Sequence, residues 1–255
     1  MPYLNLNGQQ IFFTQKRGHR DLPVVALLHG AGGSHLGWPP GLRRRPDFAV
    51  VGVDLPGHGR SHPPGRSSIN AYAADVAAIF NQQKIERAIL IGHSMGGAIA
   101  QTLALNHPET VSGLVLIGTG AKLPVSNLIL EQALTDFASV TRFITKHSWS
   151  PDAPPPLVAK AHEVLIKTPP EVLHGDFVAC NTFDVRDQLG KINAPTLVIA
   201  GTGDKMAPPK FGRYLAEQIP QATLHMVENG KHMMMLEQAG EVTAVISQFL
   251  NTHFP

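Results

Sequence analysis

The sequence predicts an α/β fold: a mostly parallel, eight-stranded sheet with helices on both faces and a helical insertion. Three observations predict it. Short apolar, β-branched runs alternate with helically spaced apolar residues, the pattern of strand–helix–strand units. The rhythm breaks once, after Gly120, where a long stretch carries helical patterns and no strand. The 255-residue chain has a single cysteine, Cys180, so its core must hold without an intramolecular disulfide, which a chain of this length can do.

The elements follow in order. Residues 3–6 and 10–14 bracket Asn7-Gly8, the turn chemistry of an antiparallel hairpin. Residues 24–28 form a continuous apolar run suited to a strand buried on both faces. Residues 49–53, 88–91, 114–117, 196–200 and 223–227 repeat that type. Between them, 70–83 place Tyr72, Val76, Ile79 and Phe80 at helical spacing, and 98–105 read as a small-residue helix packed on the sheet. In the break, Ser126 is a predicted N-cap for a helix presenting Ile129, Leu134, Phe137, Val140 and Ile144. The prolines of 151–156 interrupt it, and 157–167 and 170–180 are further short helices, the last opened by Pro170. A stretch this long is not a bare loop. The predicted organisation is a core of 1–120 and 189–255 with a helical cap, 121–188, over the carboxyl ends of the strands, where open α/β sheets bind ligands.

The charge balance, 21 Lys+Arg against 19 Asp+Glu, offers no wide basic stripe for nucleic acid. The cluster Arg43-Arg44-Arg45 reads as solvated loop charge. Despite 13 histidines, there is no His-Glu-x-x-His and no Cys-x-x-Cys, so no metal and no cofactor are expected. The first residues do not resemble a signal peptide, and no apolar run approaches the ~20 residues of a membrane span. The expected setting is cytoplasmic, with no nucleic-acid or membrane partner; the oligomeric state is left open.

The chemistry centres on Gly92-His93-Ser94-Met95-Gly96-Gly97, a G-x-S-x-G between a predicted strand and helix. A strained turn there needs near-absent side chains on both sides and pushes the Ser94 hydroxyl out of the backbone. A serine needs a base, and the base an orienting acid. Asp204 lies just past strand 196–200 and His232 just past strand 223–227, the order expected after such a serine. His225 lies within a strand, His253 near the chain end, and Asp184 and Asp187 on the return from the insertion, so they compete poorly. Two N–H donors must receive the developing oxyanion. Met95, at the start of the helix, supplies one, and Ala31 in His29-Gly30-Ala31-Gly32-Gly33 the other. That loop is not followed by the Lys-Ser/Thr of a phosphate loop.

Taken together, Leu28 to Gly33, Asp54-Leu55-Pro56-Gly57-His58-Gly59-Arg60-Ser61, Gly92 to Gly97, Asp204 and His232 resemble the α/β-hydrolase family from about the third strand to the last helix. The resemblance implies that fold and a Ser94–His232–Asp204 triad, with 54–61 as a structural turn. Ser94 argues against the branches with an aspartate nucleophile. Gly32-Gly33 stands where cofactor-free haloperoxidases typically carry proline. Met233 stands where C–C hydrolases usually carry tryptophan, although Trp38 matches a tryptophan position common in those enzymes. A carboxylesterase-like branch is the least demanding fit, cleaving a small-molecule ester of short to medium acyl chain. The alternatives are a C–C hydrolase or menaquinone-pathway-type lyase on the same fold, or a slow-turnover receptor. Gly30, Gly32, Trp38, His93, Phe137 and Met233 form the expected substrate-contacting set, with Leu128, Leu134 and Phe143 as further cap positions. Few convergent charges are expected there, favouring a neutral acyl group over a dicarboxylate. In one departure, Lys231 precedes the histidine where the family usually has glycine, with Gly230 displaced by one; a cation there disfavours imidazolium.

Overall fold

The computed structural model describes residues 3–16 and 23–255. Eight strands form one sheet in the order β1-β2-β4-β3-β5-β6-β7-β8. The hairpin of β1 (Tyr3–Leu6) and β2 (Gln9–Lys16) turns at Asn7 and Gly8, both at positive φ. It adds antiparallel to β4 (Val50–Val53), while β3 (Val24–Leu28), β4, β5 (Ala88–His93), β6 (Val111–Ile117), β7 (Thr196–Gly201) and β8 (Ala222–Val227) run parallel.

The central strands are buried on both faces because their alternate residues serve two cores. Ala26, Leu28, Leu90, Leu114 and Val198 point into one, packed by α2 (Ile69–Gln82), α3 (Met95–Asn106) and Leu215 of α8 (Pro209–Gln218). Val25, Leu27, Ile89, Ile91, Val115 and Ile199 point into the other, with Leu42 of α1 (Pro40–Arg43), Met234 and Met235 of α9 (Met234–Glu237), and α10 (Ala239–His253). This two-sided burial turns the strand sequences into continuous apolar runs.

Between β6 and β7 the chain leaves the sheet. Lys122 and Asp184 pair across the neck as an isolated antiparallel bridge, and Val185 N–H donates to Ala121 C=O at 2.9 Å. The excursion holds α4 (Asn127–Thr135), α5 (Phe137–Ser148), α6 (Pro155–Lys167) and α7 (Pro170–Thr182). Ser126 caps α4, its hydroxyl accepting from Ile129 N–H. The single helix expected from Ile129 to Ile144 is two. Asp136 ends α4 and caps α5, accepting from Ser139 N–H at 3.2 Å, so a local side-chain bond outcompetes continuation. The helices close over a small core of their own, Ala133, Val140, Leu165, Leu173 and Phe177. Among the described residues no helix is long and apolar enough to cross a membrane.

Candidate active site

Ser94 forms the elbow between β5 and α3, at φ +53° and ψ −118°. A non-glycine residue held there costs of order 1–3 kcal/mol, so its surroundings must over-determine it. They do: Ser94 N–H donates to Ile117 C=O at 3.0 Å, and its own C=O accepts from Thr119 Oγ1 at 2.8 Å and Gly97 N–H at 2.9 Å. The glycines are sterically required. A Cβ on Gly92 would collide with the Gly96 carbonyl, and one on Gly96 with the Leu28 carbonyl at the end of β3. Packed this tightly, the turn leaves Ser94 partly exposed in a cavity that His232 also lines.

His232 follows β8 and Asp204 follows β7, two neighbouring parallel strands that end on the same side of the sheet. His232 Nδ1 lies 2.9 Å from Asp204 Oδ2. The other carboxylate oxygen accepts Met206 N–H at 2.8 Å and Ala207 N–H at 3.0 Å. Burial pushes the Asp204 carboxyl up, but the His232 imidazole and these N–H groups outweigh it and hold it below the usual carboxylate range. An ionised Asp204 fixes the proton on Nδ1 and frees Nε2 to act as a base. Among the described residues Ser94 Oγ has no hydrogen-bond partner; bonds between such groups often tighten only around a bound substrate. The loops after β7 and β8 touch: a Cβ on Gly201 would strike Gly230 C=O, and the Lys231 chain lies across Gly203. A Cβ on Gly230 would in turn press on the Val227 side chain and Gly201 Cα, so the crossing needs glycine at 230.

Met95, first residue of α3, and Ala31 in the loop after β3 each have a backbone N–H near Ser94 with no partner among the described residues. In the Ala31 loop, by contrast, Gly33 N–H is committed to Gly30 C=O at 3.0 Å and Gly32 N–H to Asp176 Oδ2 at 3.0 Å. Ala31 and Gly30 line the Ser94 chamber together with Trp38, His93 and Met233.

Two expected contacts fall elsewhere. Phe137 is partly buried in the apolar core of the insertion and lines none of the cavities at Ser94, because the break at Asp136 re-phases the helix that carries it. Gly32, at φ +61°, lines only the adjoining outer chamber. Leu128 and Leu134 face outward, 61% and 55% exposed, whereas Phe143 lines a third apolar chamber that Ser94 and His232 share. Ile144, Ser148, Phe177 and Met206, which were not among the expected substrate contacts, line the Ser94 chamber.

His93 does more than line the wall. Its Nε2–H donates to His232 C=O at 2.9 Å and its ring leans on the His232 ring, centroids 4.7 Å apart. Burial, with the neighbouring His232, pushes it down to about 3, so it is a neutral brace.

The larger omission from the sequence reading is Asp176 on α7. Fully buried, it accepts His58 Nε2–H at 2.7 Å, Tyr72 Oη–H at 2.6 Å and Gly32 N–H. His58 Nδ1 faces Pro56 C=O at 3.0 Å; both ring nitrogens meet acceptors, so His58 is an imidazolium. Burial pushes its pKa down, but the Asp176 carboxylate more than reverses this and raises it. The insertion is therefore tied to the turn after β4 by a buried ion pair with His58, and to the loop bearing Ala31 by the hydrogen bond from Gly32 N–H. Asp176→Ala is expected to cost about 3–5 kcal/mol by stranding that charge, read from urea unfolding; a loss below about 1 kcal/mol would mean that His58 is not charged. An acid flanked by Gly175 and Phe177 in an apolar helix was the available sequence signal.

Comparison with known proteins agrees with this architecture. A model of the alpha/beta hydrolase family matches residues 25–245. The chain is 31% identical over 232 residues to 3-oxoadipate enol-lactonase 2 of Acinetobacter baylyi, covering 87% of this chain and 86% of that protein. It is 29% identical to a pimeloyl-acyl-carrier-protein methyl ester esterase of Photorhabdus laumondii, covering 92% and 94%. Among solved structures, the enol-lactonase of Burkholderia xenovorans LB400 superposes with a TM-score of 0.92 at 27% identity, covering 98% of this chain and 100% of that one. The chain belongs to the alpha/beta hydrolase family.

Proposed function

We propose that this hydrolase cleaves carboxylic esters of short to medium acyl chain through an acyl-enzyme on Ser94. The observation that carries the reading is one cavity lined by the strained Ser94 elbow, by His232 bonded through Nδ1 to Asp204, and by Ala31. The Ala31 N–H, like that of Met95 next to Ser94, is unpaired among the described residues. In the Michaelis complex His232 Nε2 takes the Ser94 proton as Oγ attacks the ester carbonyl. The oxyanion settles on the Ala31 and Met95 N–H groups, each such donor worth about 2.7–4 kcal/mol in the transition state. Collapse expels the alcohol, which takes the proton from His232. Water, activated by the same imidazole, then hydrolyses the acyl-enzyme and restores Ser94.

Size and lining support the chain-length preference. The insertion acts as a cap, and the chambers beneath it, about 120 and 280 Å³, are walled largely by apolar side chains such as Ile144, Phe177, Met206 and Met233. Two relatives are named for an enol-lactone and a methyl ester, both ester bonds. A p-nitrophenyl ester series is expected to give its highest kcat/KM at short to medium acyl groups and to fall for long ones. Rates that peak on long, emulsified chains would contradict the enclosed pocket, and no hydrolysis at any length would contradict ester cleavage.

A further inference from the structure

Beyond the chamber that holds Ser94 lies a second one of about 360 Å³. The two adjoin, sharing Ala31, Trp38, Ile144, Ser148 and Met233 as walls. Outward from these, the second chamber is sheathed by Trp149, Leu157, Val164, Leu165 and Leu236. Its charge is of one sign. Arg43 of α1 and Lys160 and His162 of α6 line it, and among the described residues no Asp or Glu does. That corrects the sequence reading on two points: Arg43 is not merely solvated loop charge, and basic groups do converge on the cavity.

Among the described residues neither Arg43 nor Lys160 is in an ion pair. Arg43 Nε is bonded to Trp38 C=O at 2.8 Å, which anchors the guanidinium and leaves its terminal nitrogens available. His162 Nδ1 is engaged with Thr145 Oγ1 at 2.8 Å, leaving Nε2. Trp38 in the shared wall, 1% exposed, has a buried Nε1–H with no partner among the described residues. A largely apolar chamber with unpaired cations among its walls, adjoining the one that holds Ser94, matches a molecule that is apolar in the middle and anionic at its tip.

We propose that the second chamber binds the non-reacting end of the substrate's acyl group, an apolar chain ending in a carboxylate received by Arg43 and Lys160, while the ester carbonyl lies at Ser94. This rests on the ester reading above, and it names the substrate class: half-esters of dicarboxylic acids.

The test compares two esters of equal length, mono-p-nitrophenyl octanedioate and p-nitrophenyl octanoate, which differ in a terminal carboxylate against a methyl. In the parent, kcat/KM is expected to favour the carboxylate ester roughly tenfold, mainly through KM, the size of one or two charge-assisted contacts. That ratio is expected to collapse in Lys160→Glu, on an exposed and structurally tolerant position, and in Arg43→Gln, to persist in Arg43→Lys, and to shrink with added salt. Binding is read separately. The only two tryptophans, Trp38 and Trp149, both line the chamber, so their fluorescence should report octanedioate at lower concentration than octanoate. Discriminating binding without turnover of either ester would keep this site and remove the ester reading. Turnover of both esters with a ratio at or below one, or a ratio indifferent to Lys160→Glu and Arg43→Gln, would overturn it.

Discussion

Ser94→Ala is expected to lower kcat on p-nitrophenyl esters by roughly 10⁴–10⁶, the range seen when a serine nucleophile or its base is removed. The fold should survive, because the elbow is held by backbone bonds of Ser94 to Ile117, Thr119 and Gly97, none of which uses the hydroxyl. The Ser94 side chain has no partner to lose among the described residues. Alanine still has to accept φ +53°, a strain the parent already bears. Unfolding midpoints within a few degrees of the parent, measured beside kcat, would separate lost chemistry from lost structure. Near-parent turnover in a folded variant would remove Ser94 from the reaction.

Asp204→Asn is expected to reduce kcat by about 10⁴, as the equivalent change does in a protease triad. The carboxylate receives the His232 Nδ1 proton and is locked by the Met206 and Ala207 N–H groups. An amide at this position can present its NH₂ to His232 and so stabilise the wrong tautomer. The pH dependence gives a second reading. Asp204 is held below its ordinary pKa, so its contribution to stability is fully present above the unfolded value near 3.9 and is lost as pH falls through the lower folded value. Asp204 therefore stays ionised through the working range. Burial holds His29 and His93 at about 4 and about 3, so neither sets an acid limb near neutrality. Retained turnover in Asp204→Asn would mean that another group orients His232.

The strands were legible because burial on two faces imposes continuous apolar runs at 24–28, 88–91 and 196–200, and because Asn7-Gly8 names its own turn. The Ser94 elbow was legible for a steric reason: only glycine fits at 92 and 96, so the spacing itself carries the geometry. Less accessible were features set by partners far along the chain. Asp176 acquires its meaning from His58, Tyr72 and Gly32, each more than a hundred residues away, and no local pattern in α7 announces them. Arg43 stood in a run of three arginines that looked solvated, yet the short α1 turns it toward the cavity while Arg45 is buried against Ser247 and Asp47. Phe137 was misplaced because apolar spacing continues across Asp136, while the capping bond there restarts the helix in a new phase.

The most direct test of the account is covalent. A fluorophosphonate that mimics the tetrahedral intermediate is offered to the parent protein, and intact mass followed by peptide mapping locates the product. One adduct per chain, on Ser94, with activity lost in proportion and no labelling of Ser94→Ala, is the predicted result. Labelling confined to another residue, or a parent protein that hydrolyses esters while remaining unlabelled at Ser94, would contradict it.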